Sequence, residues 1–465
     1  MSLVKVTTLT GEALKTREEE IRRLYASDSR PWVLGYSGGK DSTTALQLVW
    51  YAIAKLPPEQ RTKPIYIISS DTLVETPKIV DFVDSSLRRM NESAAQQGLP
   101  FTAQKVRPEV NNAFWVNLIG RGYPAPSNRF RWCTDRLKIE PANRFILDKV
   151  AQHGEVVVLL GVRRSESATR AQVMSLHKIE GSNLSRHSTL PNAYVYTPIE
   201  DFSVDDVWTY LLQAPSPWGN NNRDLVTMYR NAQAGECPLV VDTTTPSCGN
   251  SRFGCWVCTV VERDKSMEAM IDNGDEWLQP LLDFRDLLAS THEVSIKAQV
   301  RDHKRRNGRV MQKEDGGIIR GPYKLEFRKK LLSKLLSLQN QIRAEGPNPQ
   351  ETLITEAELH EIRRLWRSEL QDWEDSVPKI YREATGKDLP WVQDEQPIFS
   401  GHEQKLLDDI AARHEIPAGM LAKLIEVERE LHGMTRRSTV FQKIDAVFLE
   451  DWRTESQVIP SQVEQ

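Results

Sequence analysis

Residues 32–50 read WVLGYSGGKDSTTALQLVW, and this stretch decides the fold. Its first five residues, Trp32-Val33-Leu34-Gly35-Tyr36, form a short apolar run suited to a parallel strand buried on both faces. Ser37-Gly38-Gly39-Lys40-Asp41-Ser42 follows, and from Thr43 the apolar residues Ala45, Leu46, Leu48 and Val49 recur at helical spacing. A strand feeding a Gly-rich turn that opens a helix is an anion site. The glycines let the backbone wrap an oxyanion, and the amides at the helix start point at it. Ser37, Lys40 and Ser42 add hydroxyl and ammonium donors. Gly-Gly alone would suit any strand-to-helix turn; six ordered residues in this setting are far more specific.

Outward from this stretch, apolar runs alternate with helical patterns. Strands are expected over 65–69, 101–106, 156–161 and 195–199, and helices over 10–25, from Pro77, over 141–152 and over 204–212. Residues 111–128, rich in Gly, Pro and Asn, read as a mixed loop. Such alternation implies an α/β fold with a mainly parallel, doubly wound sheet, whose ligands lie beyond the carboxyl ends of the strands. SGGKDS, Ser70-Asp71-Thr72 and Gly161-Val162-Arg163-Arg164 all fall at those ends and should line one cleft.

Beyond about residue 266 strand patterns nearly vanish. Helices are expected over 322–344, 356–373, 403–414 and 417–431, with 346–350 as a linker. The expected organisation is an α/β domain over 1–230, a cysteine-rich segment over 231–265 and an all-helical region over 266–465.

A chain of 465 residues with 39% hydrophobic residues and a net charge of −3 describes an ordinary water-soluble protein. No apolar run approaches the ~20 residues that span a bilayer. The N-terminal stretch lacks a signal peptide's apolar core, so a cytoplasmic location without membrane partners is expected. The small net charge hides a basic stretch: residues 297–330 hold twelve Lys/Arg against four Asp/Glu. That stretch reads equally well as a solvated face or an interaction surface.

Cys237, Cys248, Cys255 and Cys258 lie within 22 residues and end in a C-x-x-C pair. Four thiolates so spaced can wrap one tetrahedral metal or an iron–sulfur cubane; zinc is the structural occupant, a cluster the functional one. Cys133 stands apart among Arg129, Arg131, Arg136 and Lys138, cations that favour a thiolate. Arg163, Arg164 and Arg170 could grip polyphosphate with forked hydrogen bonds. Asp41 and Asp71 are candidate Mg2+ ligands, since that ion is held by a few carboxylates plus nucleotide phosphates.

The hexapeptide SGGKDS resembles the pyrophosphate loop of the ATP pyrophosphatases, which cleave ATP between its α and β phosphates; the longer Walker spacing is absent. Asp71-Thr72-Leu73-Val74-Glu75-Thr76, Gly161-Val162-Arg163-Arg164-Ser165-Glu166-Ser167 with Arg170, and Thr197-Pro198-Ile199 followed by Asp206-Val207-Trp208 resemble segments of the phosphoadenosine-phosphosulfate (PAPS) reductases. Cys133, Lys138 and Pro141 resemble their C-x-x-x-x-K-x-x-P segment, although cluster-bearing reductases place a Cys pair where Trp132-Cys133 stands. With a helical second half, the chain resembles the DndC family, the sulfurtransferases of bacterial DNA phosphorothioation. That resemblance implies ATP binding by Ser37 to Ser42, Asp71, Arg163, Arg164 and Arg170, with Mg2+, and catalysis by Lys40, Asp41 and Cys133. It also implies a [4Fe-4S] cluster on the other four cysteines, and as partners DNA, a cysteine desulfurase and the other Dnd proteins DndD and DndE. A PAPS reductase, a tRNA thiolase and a zinc-stabilised scaffold that senses ATP remain the alternatives.

Overall fold

The computed structural model describes residues 9–166, 172, 175–226, 254–314, 317–394, 399–431 and 439–458. Cys237, Cys248 and Arg170 lie outside the described residues. The chain divides into two compact units, residues 1–112 with 126–282, and residues 113–125 with 283–465.

The first unit is built on a six-stranded sheet of order β3-β2-β1-β4-β6-β5. The strands are β1 Trp32–Gly35, β2 Ile65–Ser70, β3 Phe101–Val106, β4 Val156–Leu159, β5 Ser185–Arg186 and β6 Ala193–Tyr196. Every pairing is parallel except the two-residue β5 on β6. β1 is central because all its side chains are apolar and can be buried on both sheet faces. Trp32 and Leu34 enter one core, with Ile65 and Ile67; Val33 enters the other, with Val156, Val158 and Ile146. Successive strand residues point to opposite faces, so one run of four supplies both layers.

Three helices pack first. α1 (Gly11–Ala26) starts where the Thr10 side chain accepts a hydrogen bond from the Ala13 amide, and buries Ile21 and Tyr25. α2 (Lys40–Ala54) is buried along nearly its whole length. α3 (Pro77–Gln96) opens with a proline, whose missing N–H costs nothing in a first turn. A short helix α4 (Trp132–Thr134) runs through one π-helical turn, Asp135–Ile139, into α5 (Glu140–His153), which stops at Gly154 with φ +83°. Helix Val204–Gln213 begins with a capping box in which Ser203 and Asp206 exchange hydrogen bonds.

The strand order reverses at β1, which pairs with β2 on one side and β4 on the other. In an open α/β sheet the crevice beyond the carboxyl ends at that reversal is where ligands sit. The loop after β1 and the loop after β4 meet there.

The second unit is helical among its described residues, with Leu325–Glu345, Glu356–Glu369, Ser376–Thr385, Gly401–Arg413, Ala418–Leu431 and Val440–Phe448. The mixed loop expected over 111–128 forms only in its second part, over 121–128. Val116–Gly120 is a π-helical turn, and Phe114, Trp115, Leu118 and Ile119 are buried in this unit. The Trp115 indole donates to the Leu353 carbonyl at 2.6 Å, and the Trp366 indole donates to the Ile119 carbonyl at 3.0 Å. Glycine and proline flank an apolar run whose partners are more than two hundred residues away, so local composition misleads. Residues 346–350 join two helices of this same unit. Gln339 Oε1 accepts from the Leu353 and Ile354 amides just beyond them, at 2.8 and 3.2 Å. The change from strand to helical patterns falls near residue 266, while the contacts divide the chain at 282.

Among the described residues no helix is long and apolar enough to cross a membrane.

Candidate active site

The loop after β1 is tied to itself before any ligand arrives. Ser37 and Ser42 hydroxyls lie 2.8 Å apart, the Gly39 amide donates to Ser37 Oγ at 3.2 Å, and Ser42 Oγ donates to the Gly39 carbonyl at 3.1 Å. Gly38 takes φ +73°, the left-handed conformation in which a side chain is strained. The loop therefore turns sharply and hands the chain to α2, whose N-terminal end carries partial positive charge into the crevice.

Lys40, Asp41 and Arg163 form a buried ionic triad, with relative exposures of 6%, 4% and 3%. Lys40 Nζ donates to Asp41 Oδ2 at 2.6 Å, and Arg163 Nε donates to Asp41 Oδ1 at 2.7 Å. Arg163 Nη1 also donates to Ser165 Oγ at 3.0 Å. Charged groups go into a core only when paired and hydrogen-bonded, as these three are. The loop after β4 thus braces the loop after β1. Arg164 faces elsewhere: it is half-exposed and pairs with Glu200.

Asp71 follows β2. Its Oδ1 accepts from the Leu73 amide at 3.1 Å, and its Oδ2 accepts from Arg107 Nε at 2.9 Å, with Lys105 Nζ 3.3 Å away. Both carboxylates expected to hold Mg2+ are therefore engaged by cations, and the ion would have to displace those bonds to use them.

Next to Asp71 stands a knot of groups whose meeting the sequence did not show. Glu75 accepts from the Thr72 amide at 3.0 Å and from Thr72 Oγ1 at 2.6 Å. Thr72 Oγ1 is also 3.2 Å from Cys255 Sγ. Glu75 and Cys255 are joined by an isolated antiparallel bridge, and the Trp256 amide donates to the Val74 carbonyl at 2.9 Å. The start of the C-x-x-C pair is thereby docked on the loop after β2. Burial, then the Asp71 charge, push the Glu75 carboxyl above its ordinary range. Burial pushes the Cys255 thiol up strongly; Lys138 opposes this, while Glu75 and Cys133 add to it. Cys133 is therefore an electrostatic neighbour of Cys255, not a residue standing apart. Thr72, Glu75 and Lys138 belong to the site for the same reason. A sequence signal existed for Lys138, in its five-residue spacing from Cys133. Glu75 lies in the Asp71–Thr76 segment, but nothing there pointed to Cys255.

The other cations around Cys133 have neighbours of their own. Arg131 donates to Asn128 Oδ1 at 2.8 Å, Arg136 donates to Asn112, and Arg129 is exposed.

Cys133, Cys255 and Cys258 form no disulfide. The Cys258 amide donates to the Cys255 carbonyl at 3.0 Å, the tight turn a C-x-x-C pair needs to present both sulfurs to one centre. This donor set suits a soft metal or an iron–sulfur cluster. Among the described residues alone no group of three or more His, Cys, Asp or Glu is placed to hold a metal ion; two of the four expected ligands are not among them.

Residues 31–261 match the phosphoadenosine phosphosulfate reductase domain family. A curated relative, an uncharacterized protein of Methanocaldococcus jannaschii, is 24% identical over 242 residues, which cover 52% of this chain and 39% of that protein. The chain thus spans about two fifths of that relative's length. Among solved structures, Candida glabrata FMN adenylyltransferase with FAD and inorganic pyrophosphate is 12% identical, covering 45% of this chain and 61% of that one at a TM-score of 0.26. The U34-tRNA thiolase NcsA of Methanococcus maripaludis with its [4Fe-4S] cluster is 10% identical, covering 62% of this chain and 81% of that one at a TM-score of 0.29. The chain carries a phosphoadenosine phosphosulfate reductase-like domain over residues 31–261.

Proposed function

We propose that the protein is an ATP-dependent sulfurtransferase acting on DNA, of the DndC kind, which adenylylates a backbone phosphate and replaces a non-bridging oxygen with sulfur. The observation that carries this reading is the buried Lys40–Asp41–Arg163 triad under a Gly-rich loop, with the start of the C-x-x-C pair docked through Cys255 on Thr72 in the loop after the neighbouring strand β2. A non-bridging oxygen of the phosphodiester attacks the α-phosphorus of ATP, and pyrophosphate leaves. Lys40 and the start of α2 stabilise the charge that develops on the leaving group. Arg163 holds Asp41, and through it Lys40, so that these donors need not reorganise during the reaction. The terminal sulfur of a Cys133 persulfide, charged by a cysteine desulfurase, then attacks the activated phosphorus and AMP leaves. An external thiol takes the Cys133 sulfur as a mixed disulfide and frees the phosphorothioate; a second thiol restores Cys133.

Cys237, Cys248, Cys255 and Cys258 would hold the cluster, and Mg2+ would enter with ATP. A bound [4Fe-4S] cluster supplies a soft, redox-active centre with affinity for sulfur. Iron content checks the ligand set: Cys133→Ser keeps its iron if Cys133 carries sulfur and loses it if Cys133 is a ligand.

The test of the overall reading has two parts. The purified protein should convert ATP to AMP and pyrophosphate, and Lys40→Ala should not; ADP as the main product would overturn the assignment. Cells with the complete system and Cys133→Ser should yield no phosphorothioate dinucleotides on mass spectrometry of digested DNA. Undiminished dinucleotides would remove Cys133 from the chemistry. Thiolated tRNA lost in the mutant, with DNA unchanged, would transfer the reading to a tRNA thiolase.

A further inference from the structure

The helical unit contains a second concentration of positive charge around a cavity of about 410 Å3. Arg328 lines it and is buried, with 3% of its surface exposed. Its Nε donates to the Tyr323 carbonyl at 2.6 Å and its Nη1 to the Gly120 carbonyl at 2.9 Å. Among the described residues it has no carboxylate partner at ion-pair distance, and its Nη2 makes no hydrogen bond. Burial lowers its pKa to about 10; Glu369 and Asp302 oppose this from a distance, and Arg306 adds to it. A guanidinium with only neutral acceptors in a low-dielectric setting is costly unless an anion shares the site.

Arg305 lines the same cavity and is exposed; Nη1 donates to the Arg320 carbonyl at 3.1 Å, and it too has no carboxylate partner among the described residues. The carboxylates along the wall are already committed. Glu450 receives both its bonds from Lys423 at 2.6 and 2.7 Å, Glu369 lies 3.8 Å from Arg306, Glu426 pairs with Arg429, and Asp302 accepts from the Lys304 amide at 3.0 Å with His303 Nδ1 3.1 Å away. Arg305, Arg328 and Lys304, whose Nζ lies over the Trp452 ring, have no carboxylate partner at ion-pair distance among the described residues.

We propose that this cavity binds the phosphate group of a small phosphorylated molecule, with Arg328 and Arg305 supplying forked hydrogen bonds to its oxygens. Guanidinium donors match phosphate oxygens in pairs, which an ammonium cannot do. The cavity has the size of an ordinary small-ligand site. The carboxylates on its wall would repel the many charges of a duplex, whereas one dianion can sit between the two arginines.

The test uses the full chain and ribose 5-phosphate, titrated calorimetrically at constant ionic strength, with inorganic phosphate and ribose as comparison probes. Ribose 5-phosphate should bind saturably. Arg328→Gln and Arg305→Gln should each weaken it by about tenfold or more, and Lys40→Ala should leave it unchanged because the nucleotide loop is a separate site. Should Arg328→Gln fail to fold by circular dichroism, Arg305→Gln carries the same reading at an exposed position. Equal binding of inorganic phosphate would make the free ion the ligand and keep the site. No saturable heat, equal binding of ribose, or binding lost in Lys40→Ala and kept in Arg305→Gln would overturn the proposal. So would binding of a short duplex with no binding of either phosphate.

Discussion

Gly161 and Asp41 are in backbone contact: a Cβ on Gly161 would stand 2.7 Å from the Asp41 carbonyl oxygen and 2.8 Å from Ser42 Cα. The loop after β4 therefore fixes the height of the first turn of α2, and with it the Lys40–Asp41 pair. Because the opposing atoms are backbone, they cannot swing aside. Gly161→Ala should push the nucleotide loop out of place, costing about 1–3 kcal/mol of stability and lowering pyrophosphate release about tenfold or more. Unfolding curves and a pyrophosphate assay check this; wild-type turnover in the variant would refute it.

Arg163 is the other brace. Removing it as Arg163→Ala leaves Asp41 with Lys40 alone in a nearly dry site. Breaking a buried pair on one side costs about 3–5 kcal/mol. Urea denaturation should show a lower midpoint at unchanged slope, and Arg163→Lys should recover only part of the loss, since one ammonium nitrogen cannot replace the two guanidinium nitrogens that reach Asp41 and Ser165.

Stability should fall on the alkaline side. Burial raises Tyr36 from 10.0 to about 12, and Tyr196, Tyr210 and Tyr323 are raised as well, all with burial as the main cause. Below about pH 10 both folded and unfolded chains keep the Tyr36 proton, so nothing is lost. Above it the unfolded chain releases the proton while the folded one holds it, which favours unfolding by about 1.4 kcal/mol per pH unit, or about 2–3 kcal/mol by pH 12. Tyr36→Phe should flatten part of that decline, measured as the denaturation midpoint between pH 9 and 12. An identical pH dependence in the variant would count against it.

In the helical unit, Trp366 is fully buried and its indole donates to the Ile119 carbonyl. Trp366→Ala should cost about 3–5 kcal/mol through the cavity and the orphaned carbonyl. Thermal unfolding followed by circular dichroism reads this directly. Trp366→Phe, which keeps most of the volume and loses the donor, should cost less.

What could be read beforehand follows from the range of the forces involved. The strand and helix patterns around residues 32–50 are local, and β1, α2 and the loop stand where periodicity put them. Lys40, Asp41 and Arg163 were each visible as charged residues at strand ends. That Asp41 sits between the other two was not, because 122 residues separate Asp41 from Arg163. Glu75 stood in the Asp71–Thr76 segment, but its pairing with Cys255 was not legible, since that residue arrives from a segment 180 positions away. Residues 113–119 were misread because Gly, Pro and Asn nearby outweighed an apolar run whose partners come from the far half of the chain. Short helices such as Ser376–Thr385 were missed because ten residues hold too few turns for a clear period.

Placing residues 113–125 in the unit completed by the second half of the chain sets a timetable for synthesis. The apolar run around Phe114, Trp115 and Ile119 leaves the ribosome well before Ile362 and Trp366, which cover it, have been made. At ~5–20 residues per second the wait is roughly 12 to 50 s. Over the last third of that interval, once residue 282 has been made, the nascent chain holds a sticky insert inside a domain that is otherwise complete, which is the situation in which holding chaperones are needed. Cutting the gene after residue 282 would make the wait permanent, leaving that insert without its cover.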